Sequence, residues 1–270
     1  MPVYSLSEGE GPLVVSMPHA GVLIPDEIAE RMSEAGRSVP ETDWHIPRLY
    51  NFLDELRIPR IQAVFSRYVA DLNRAPDGGR LYPGARETEL CPTTTFDDLP
   101  IYQEGKEPGA AEIEARRRDY WQPYHLGLAQ LLLQVKDRYG VAVLLDLHSI
   151  RSRVPRFFDG QLPDISLGSR DGASCHPELL RQMARVADET GGYSHVVDGR
   201  FKGGFITRCY GRPDEETHSI QIELSQTTYM EEAPPWTFLE DRAESVRPAL
   251  RALVESARDW AWERTKSLAS

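Results

Sequence analysis

VAVLLDLHS, residues 141–149, decides how the rest of the chain is read. Five apolar residues run without a break into Asp146, His148 and Ser149. A stretch that is apolar at every position describes a strand buried on both faces, and its polar end marks where that strand reaches a rim. In open α/β sheets, ligands bind at such carboxyl ends. Two other stretches finish the same way: LVVSMPH at 13–19 and HSIQIELSQ at 218–226. Three parallel neighbouring strands would bring His19, His148 and Glu223 to one edge of one sheet. Two imidazoles and a carboxylate there point to a metal hydrolase in an α/β fold.

A chain of 270 residues can bury roughly three-quarters of its unfolded surface. No internal repeat, low-complexity segment or compositional break divides it, so one domain over 1–270 is the economical expectation. Hydrophobic residues make up 40% and charged residues 27%, the balance of a folded globular chain. The net charge of −11 and pI near 5.2 argue against a nucleic-acid partner. They also require that an anionic substrate be met by a local cluster of arginines. Cys91, Cys175 and Cys209 are far apart and form no CxxC pair, which suggests neither disulfides nor a thiolate metal site. The N-terminal stretch lacks a basic segment followed by an apolar run, and no window approaches the roughly 18 apolar residues of a membrane span. A cytoplasmic protein without membrane contact is the expectation.

Periodicity and capping predict helices over 25–35, over 43–56 with Thr42 as its cap, over 110–139 closed by Gly140, over 177–190, and from about 237 to 268. Further strands are expected at 61–65 and 193–197. Residues 82–108 are dense in Pro, Gly, Thr and acids, and so long a connection reads as a functional lid or rim. Residues 151–172 read as loop, 200–211 as a Gly-Gly turn followed by an extended segment carrying Arg208, and Arg116, Arg117 and Arg118 as a solvated helix face.

A hydrolytic zinc site takes three protein ligands and keeps one position open. His19 and His148 have the clearest positional logic. Asp43 is the preferred third ligand, because an oxygen from a neighbouring helix start can reach the rim without distorting either strand. His45 is the fallback. Asp146 shares a strand face with His148 and serves either as a ligand or as the carboxylate that orients it. Metal binding lowers the pKa of water from about 16 to about 7, worth roughly 12 kcal/mol. A carboxylate must still move the proton, and Glu223 is placed for it. Taken singly, His45, His125, His176, His195 and His218 are ordinary surface or hydrogen-bonded histidines, and Glu223 alone is compatible with a strand-end ion pair. The reading rests on the conjunction. Arg67, Arg74, Arg151, Arg153, Arg156 and Arg208 fall near the expected rim, with Asn73 directly before Arg74. Guanidinium groups suit bidentate binding of carboxylates; the competing reading of each is a surface ion pair worth little.

The ordered strings PHAG, TDWH, SRYVADLNR, DLHS, GGFITRCYG and IELSQ resemble those of the N-formylglutamate amidohydrolases, over roughly residues 14–229. That family is similar in turn to zinc carboxypeptidases and aspartoacylases. The resemblance implies a phosphorylase/hydrolase-like three-layer sandwich with a mixed, mostly parallel central sheet. It implies His19 and His148 as metal ligands, Glu223 as acid/base, and Arg67, Asn73 and Arg74 on the substrate carboxylate or the oxyanion, with Arg208 as a further clamp. Carboxypeptidase-type sites place a Glu three residues after the first His; here that position is Val22, so Asp43 is not carried over. The implied reaction is hydrolysis of N-formyl-L-glutamate to glutamate and formate, the last step of a histidine degradation route, with a divalent metal, zinc by family. The rival readings are a related amidohydrolase or peptidase acting on another N-acyl amino acid, and a metal- or dicarboxylate-binding protein without turnover.

Overall fold

The structure is a computed structural model and describes residues 1–79 and 86–269. Among the described residues seven strands form one sheet: β1 (Tyr4–Ser7), β2 (Leu13–Met17), β3 (Arg60–Ala63), β4 (Ala142–Ile150), β5 (Ile165–Gly168), β6 (His195–Val197) and β7 (Thr217–Ser225). Their order is β1-β3-β2-β4-β7-β5-β6. The central run β3-β2-β4-β7 is parallel. β1 and β5 pair antiparallel with β3 and β7, and β6 is parallel to β5. The helices are α1 (Asp26–Ala29), α2 (Glu34–Arg37), α3 (Ile46–Leu49), α4 (Ala110–Arg116), α5 (Gln122–Tyr139), α6 (Pro177–Glu189), α7 (Phe205–Tyr210) and α8 (Glu240–Ala269). The fold is the expected α/β sandwich of helices on both faces of a mixed sheet. Among the described residues no helix is long and apolar enough to cross a membrane.

The two-residue period of the strands assigns each side chain to a layer. Leu13, Val15, Met17, Val143, Leu145, Leu147, Ile220, Ile222 and Leu224 pack in one core with residues of α3, α6 and α8. Val14, Ile61, Ala63, Ala142 and Leu144 pack in the opposite core with residues of α5 and α7. Three leucines in β4 would suit a helix equally well by propensity. Burial on both faces, worth about 1.5–3 kcal/mol for each such side chain, overrides that preference.

The two faces differ towards the carboxyl ends. The α8 face stays apolar to Met17, Leu147 and Leu224, whereas the α5/α7 face changes from Val14 to Ser16, from Leu144 to Asp146 and His148, and onward to Gln221 and Glu223. Strand register aligns these polar residues: Ser16 lies opposite Asp146, Asp146 opposite Gln221, and His148 opposite Glu223. The site is therefore the polar end of one sheet face.

Several local expectations need correction. The helix expected over 43–56 shrinks to α3 and a single 3-10 turn, because His45 takes a left-handed φ of 63° and breaks any helix starting at Asp43. Thr42 caps nothing; its hydroxyl is buried without a partner. The segment 25–35 is divided into α1 and α2. Residues 151–172 hold β5, a four-residue strand buried at every position. Residues 205–210 are helical rather than extended. Arg116 is buried and bonds to Glu112 and the Tyr102 hydroxyl, so only Arg117 and Arg118 fit a solvated face. The long helix over 110–139 holds as α4 and α5 joined by a π turn, and Gly140 ends it with φ 78° and a bond from its N–H to Lys136 O. Residues 82–85 lie outside the described residues. The described remainder, 86–108, buries Leu90, Phe96, Ile101 and Tyr102 and lends Arg86, Glu87 and Phe96 to the lining of one cavity.

Candidate active site

β2 delivers His19 two residues past its end, β4 delivers Asp146 and His148, and β7 delivers Gln221 and Glu223. Asp43 arrives from the turn before α3, held by a bond from its backbone N–H to His19 O at 3.0 Å. One ligand atom from each of His19, Asp43 and His148 falls within 4.8 Å of the others, and all three residues are buried. Asp43 Oδ2 stands 3.0 Å from His148 Nδ1 and 3.9 Å from His19 Nδ1. A tetrahedral ion with bonds of about 2.1 Å needs its ligand atoms about 3.4 Å apart. Those two edges bracket that spacing.

Each imidazole is backed by a carboxylate on its far nitrogen. His19 Nε2 is 2.8 Å from Asp71 Oδ1, and His148 Nε2 is 2.9 Å from Asp146 Oδ2. This is how histidines are oriented behind a metal, with the protonated nitrogen bound to the carboxylate and the other nitrogen turned inward. The chain of support continues outward: the Ser16 hydroxyl donates to Asp146 Oδ1 at 2.8 Å and lies 3.0 Å from the Tyr124 hydroxyl. Asp71 also accepts from Arg67 Nη2 at 2.5 Å and from Asn73 N at 2.9 Å. The donor set of two imidazoles and a carboxylate, all buried, fits a divalent ion.

The electrostatics are those of a cluster with too much negative charge. Burial and the neighbouring Arg67 guanidinium lower the pKa of His19, outweighing the opposite pull of Asp71 and Asp43. Burial would lower His148 too, but Asp146 and Asp43 reverse the sign and raise it well above the usual imidazole range. That proton competes with a metal ion for the same nitrogen. Burial would raise Asp71, yet Arg67, His19 and Arg74 hold it well below the carboxylate range. Glu223 is pushed up to about 8, first by burial and then by Asp43 and Asp146, against the pull of His148 and Arg67.

These groups open into a cavity lined also by Arg67, Arg74, Arg86, Phe96, Phe157 and Arg200. Of the six rim arginines predicted from sequence, Arg67 and Arg74 line it. Arg74 is anchored on Thr88 through Nε. Arg208 bonds through Nε to Gly203 O and is not among the described lining residues. Arg151 and Arg156 pair with Asp97 and Asp98, and Arg153 bonds to Gln161. Asn73 lines the cavity, with its amide at Asp146 and His148. His45 turns away, its Nε2 2.7 Å from Trp236 O. Sequence reading missed Asp71, Ser16, Gln221 and Arg200. The first three carry detectable signals: Asp71 is four residues after Arg67, and Ser16 and Gln221 follow the two-residue period on strands already identified.

A sequence model of the N-formylglutamate amidohydrolase family matches residues 11–230. Over 262 residues the chain is 46% identical to the N-formylglutamate deformylase of Pseudomonas aeruginosa, covering 97% of this chain and 98% of that protein. It is 45% identical over the same length to the enzyme of that name from Pseudomonas putida. Its fold is similar to the crystal structure of N-formylglutamate amidohydrolase from Ralstonia eutropha, with a TM-score of 0.80, 28% identity and 98% of each chain covered. On this match and these identities, the chain belongs to the N-formylglutamate amidohydrolase family.

Proposed function

We propose that the protein hydrolyses the formamide bond of N-formyl-L-glutamate, releasing formate and L-glutamate, with His19, Asp43 and His148 holding a divalent ion. The observation that carries the substrate is the 46% identity, over nearly the full length, to a protein named for this reaction. The donor set favours zinc, which takes imidazole and carboxylate ligands readily. Bound there, the ion supplies Lewis-acid polarisation of the formyl oxygen and lowers the pKa of water from about 16 to about 7.

The chain's own residues do the rest. Glu223 accepts a proton from water as the water oxygen bonds to the formyl carbon, and returns that proton to the nitrogen as the C–N bond breaks. The formic acid so formed ionises, and the amine takes up the second proton. Arg67, buried beside His19 and fixed by Asp71, offsets charge that develops on the formyl oxygen. Arg74 binds a substrate carboxylate, and Asn73 fixes the histidine and carboxylate around which substrate sits. Arg208, whose Nε bonds to Gly203 O, steadies the glycine turn that leads into α7. Four arginines in the lining, Arg67, Arg74, Arg86 and Arg200, match a dianionic substrate inside a chain whose net charge is −11. A place at the end of histidine degradation, in the cytoplasm, accords with this substrate and with three free cysteines.

The test is formate release by purified protein supplied with N-formyl-L-glutamate, set beside N-formyl-L-aspartate, N-acetyl-L-glutamate and short peptides. The highest kcat/KM is expected for N-formyl-L-glutamate. A better substrate elsewhere in the panel would move the assignment to another N-acyl amino acid; binding without turnover would make the protein a carrier.

A further inference from the structure

Glu223 makes one side-chain hydrogen bond among the described residues, and it uses one oxygen only. Gln221 Nε2 donates to Glu223 Oε2 at 2.9 Å. Gln221 lies two residues earlier on β7 and so shares its face of the sheet. Which end of an amide is nitrogen is fixed by its partners, and here the partner is unambiguous. Gly204 N, a backbone donor, lies 2.8 Å from Gln221 Oε1. Because a backbone N–H can only donate, Oε1 must face Gly204 and Nε2 must face Glu223.

The approach of Gly204 is itself enforced. A Cβ at Gly204 would stand 2.4 Å from Asn73 Nδ2, and the preceding Gly203 has φ +99°. Only glycine lets the backbone pass this close in that conformation. Two residues later Ile206 N donates to Asn73 Oδ1 at 2.8 Å, which fixes the second amide in the same way. Its Nδ2 then donates to Asp146 Oδ2 at 3.3 Å, the carboxylate oxygen that His148 Nε2 also reaches. The start of α7 therefore sets the orientation of two amides, one behind Glu223 and one behind His148.

We propose that Gln221 is a positioning residue that divides labour between the two oxygens of Glu223, holding Oε2 so that Oε1 is the atom that takes and returns the proton. This rests on Glu223 being the acid/base group. A carboxylate rotates readily about its terminal bond, and a reacting group misplaced by about 1 Å can cost about 10²-fold in rate. The bond from Gln221 removes that freedom.

Two variants separate positioning from scaffolding. Gln221→Glu keeps an acceptor for Gly204 N and nearly the same shape but replaces the amide donor by a carboxyl group that competes with Glu223 for one proton; Gln221→Met removes both the acceptor and the donor. With N-formyl-L-glutamate, kcat is expected to fall about 10- to 100-fold in each, with KM and bound metal within about twofold of wild type. In a Glu223→Gln background the Gln221→Glu change is expected to cost less than about twofold further. An unchanged kcat, a loss confined to KM, or losses that multiply in the double variant would each overturn the proposal. If wild-type protein releases formate and Glu223→Gln releases it equally fast, it is the acid/base reading of Glu223 that has failed, and the role of Gln221 fails with it; no formate from the wild type would instead fail the substrate reading.

Discussion

β7 carries a buried ionisable side chain near each end, and the two ends are neutralised differently. At its start, His218 accepts from His176 N through Nδ1 at 3.2 Å and sets Nε2 3.4 Å from Glu216. Glu216 is in turn clamped by Arg264, and Trp260 covers the ring edge. One imidazole, one carboxylate and one guanidinium balance, and burial holds His218 down at about 4. Near the other end, Asp43, Asp71, Asp146 and Glu223 surround two imidazoles, with the buried guanidinium of Arg67 beside them. Among the described residues these four carboxyl groups outnumber the buried guanidinium, so the cluster is balanced only by protons held on His148 and Glu223 or by a further cation that takes their place. The same residue types are structural where charge closes and point to a cation site where it does not.

The sharpest way to break this contrast is to remove divalent ions. Treatment with a strong chelator is expected to take formate release down by about 10³-fold or more, and added zinc to restore it. Full activity in protein shown by elemental analysis to be metal-free would end the reading of the His19, Asp43 and His148 cluster. Next in size is Glu223→Gln, with an expected fall in kcat of about 10²- to 10⁴-fold and metal content unchanged. A variant that instead loses its metal would place Glu223 among the ligands. Smaller again are Asp71→Asn and Asp146→Asn, which leave the proposed ligands in place but weaken their support. A loss of about 10- to 100-fold in metal affinity or activity is expected for each, measured by competition with a chromogenic chelator and by formate assay.

The site was legible where the two-residue period carried it and obscure where the chain leaves the sheet. β2, β4 and β7 announce themselves because strands buried on both faces leave few alternatives for an unbroken apolar run, and their shared polar ends gave His19, His148 and Glu223. The same period also implied Gln221, whose neutral side chain drew no attention beside a carboxylate. Asp43 was anticipated for the right rim but the wrong local structure: it comes from a turn that His45, in a left-handed conformation, separates from α3. Asp71 sits in an irregular stretch between β3 and the rim, where no period relates neighbours. β5 was hidden because four residues amid prolines and glycines carry too little pattern, and its pairing is decided by β7 at long range. α7 read as extended because Gly203 and Gly204 suggested a turn; they are in fact the approach that lets a helix begin against Asn73.

The smallest expected effect belongs to the balanced end of β7, and there it should appear as stability rather than rate. His218 is held neutral with its pKa near 4 in the folded chain, against about 6.5 when unfolded. Between those values the unfolded chain binds a proton that the folded chain refuses. Stability is therefore full above about pH 6.5 and falls as the pH drops towards 4, by roughly 3 kcal/mol at most from this residue. Burial likewise holds His125 at about 4, so it adds a slope of the same sign. Glu41 opposes them: burial pushes it up to about 7, so the stability its neutral form retains is lost as the pH rises through 7. Urea denaturation of wild type between pH 4 and 8 is expected to show the net slope, and His218→Gln to flatten its acid side while kcat at pH 7.5 stays within about twofold. A variant that kept the full acid slope, or lost activity in step with the active-site variants, would mean that the two ends of β7 are not separate after all.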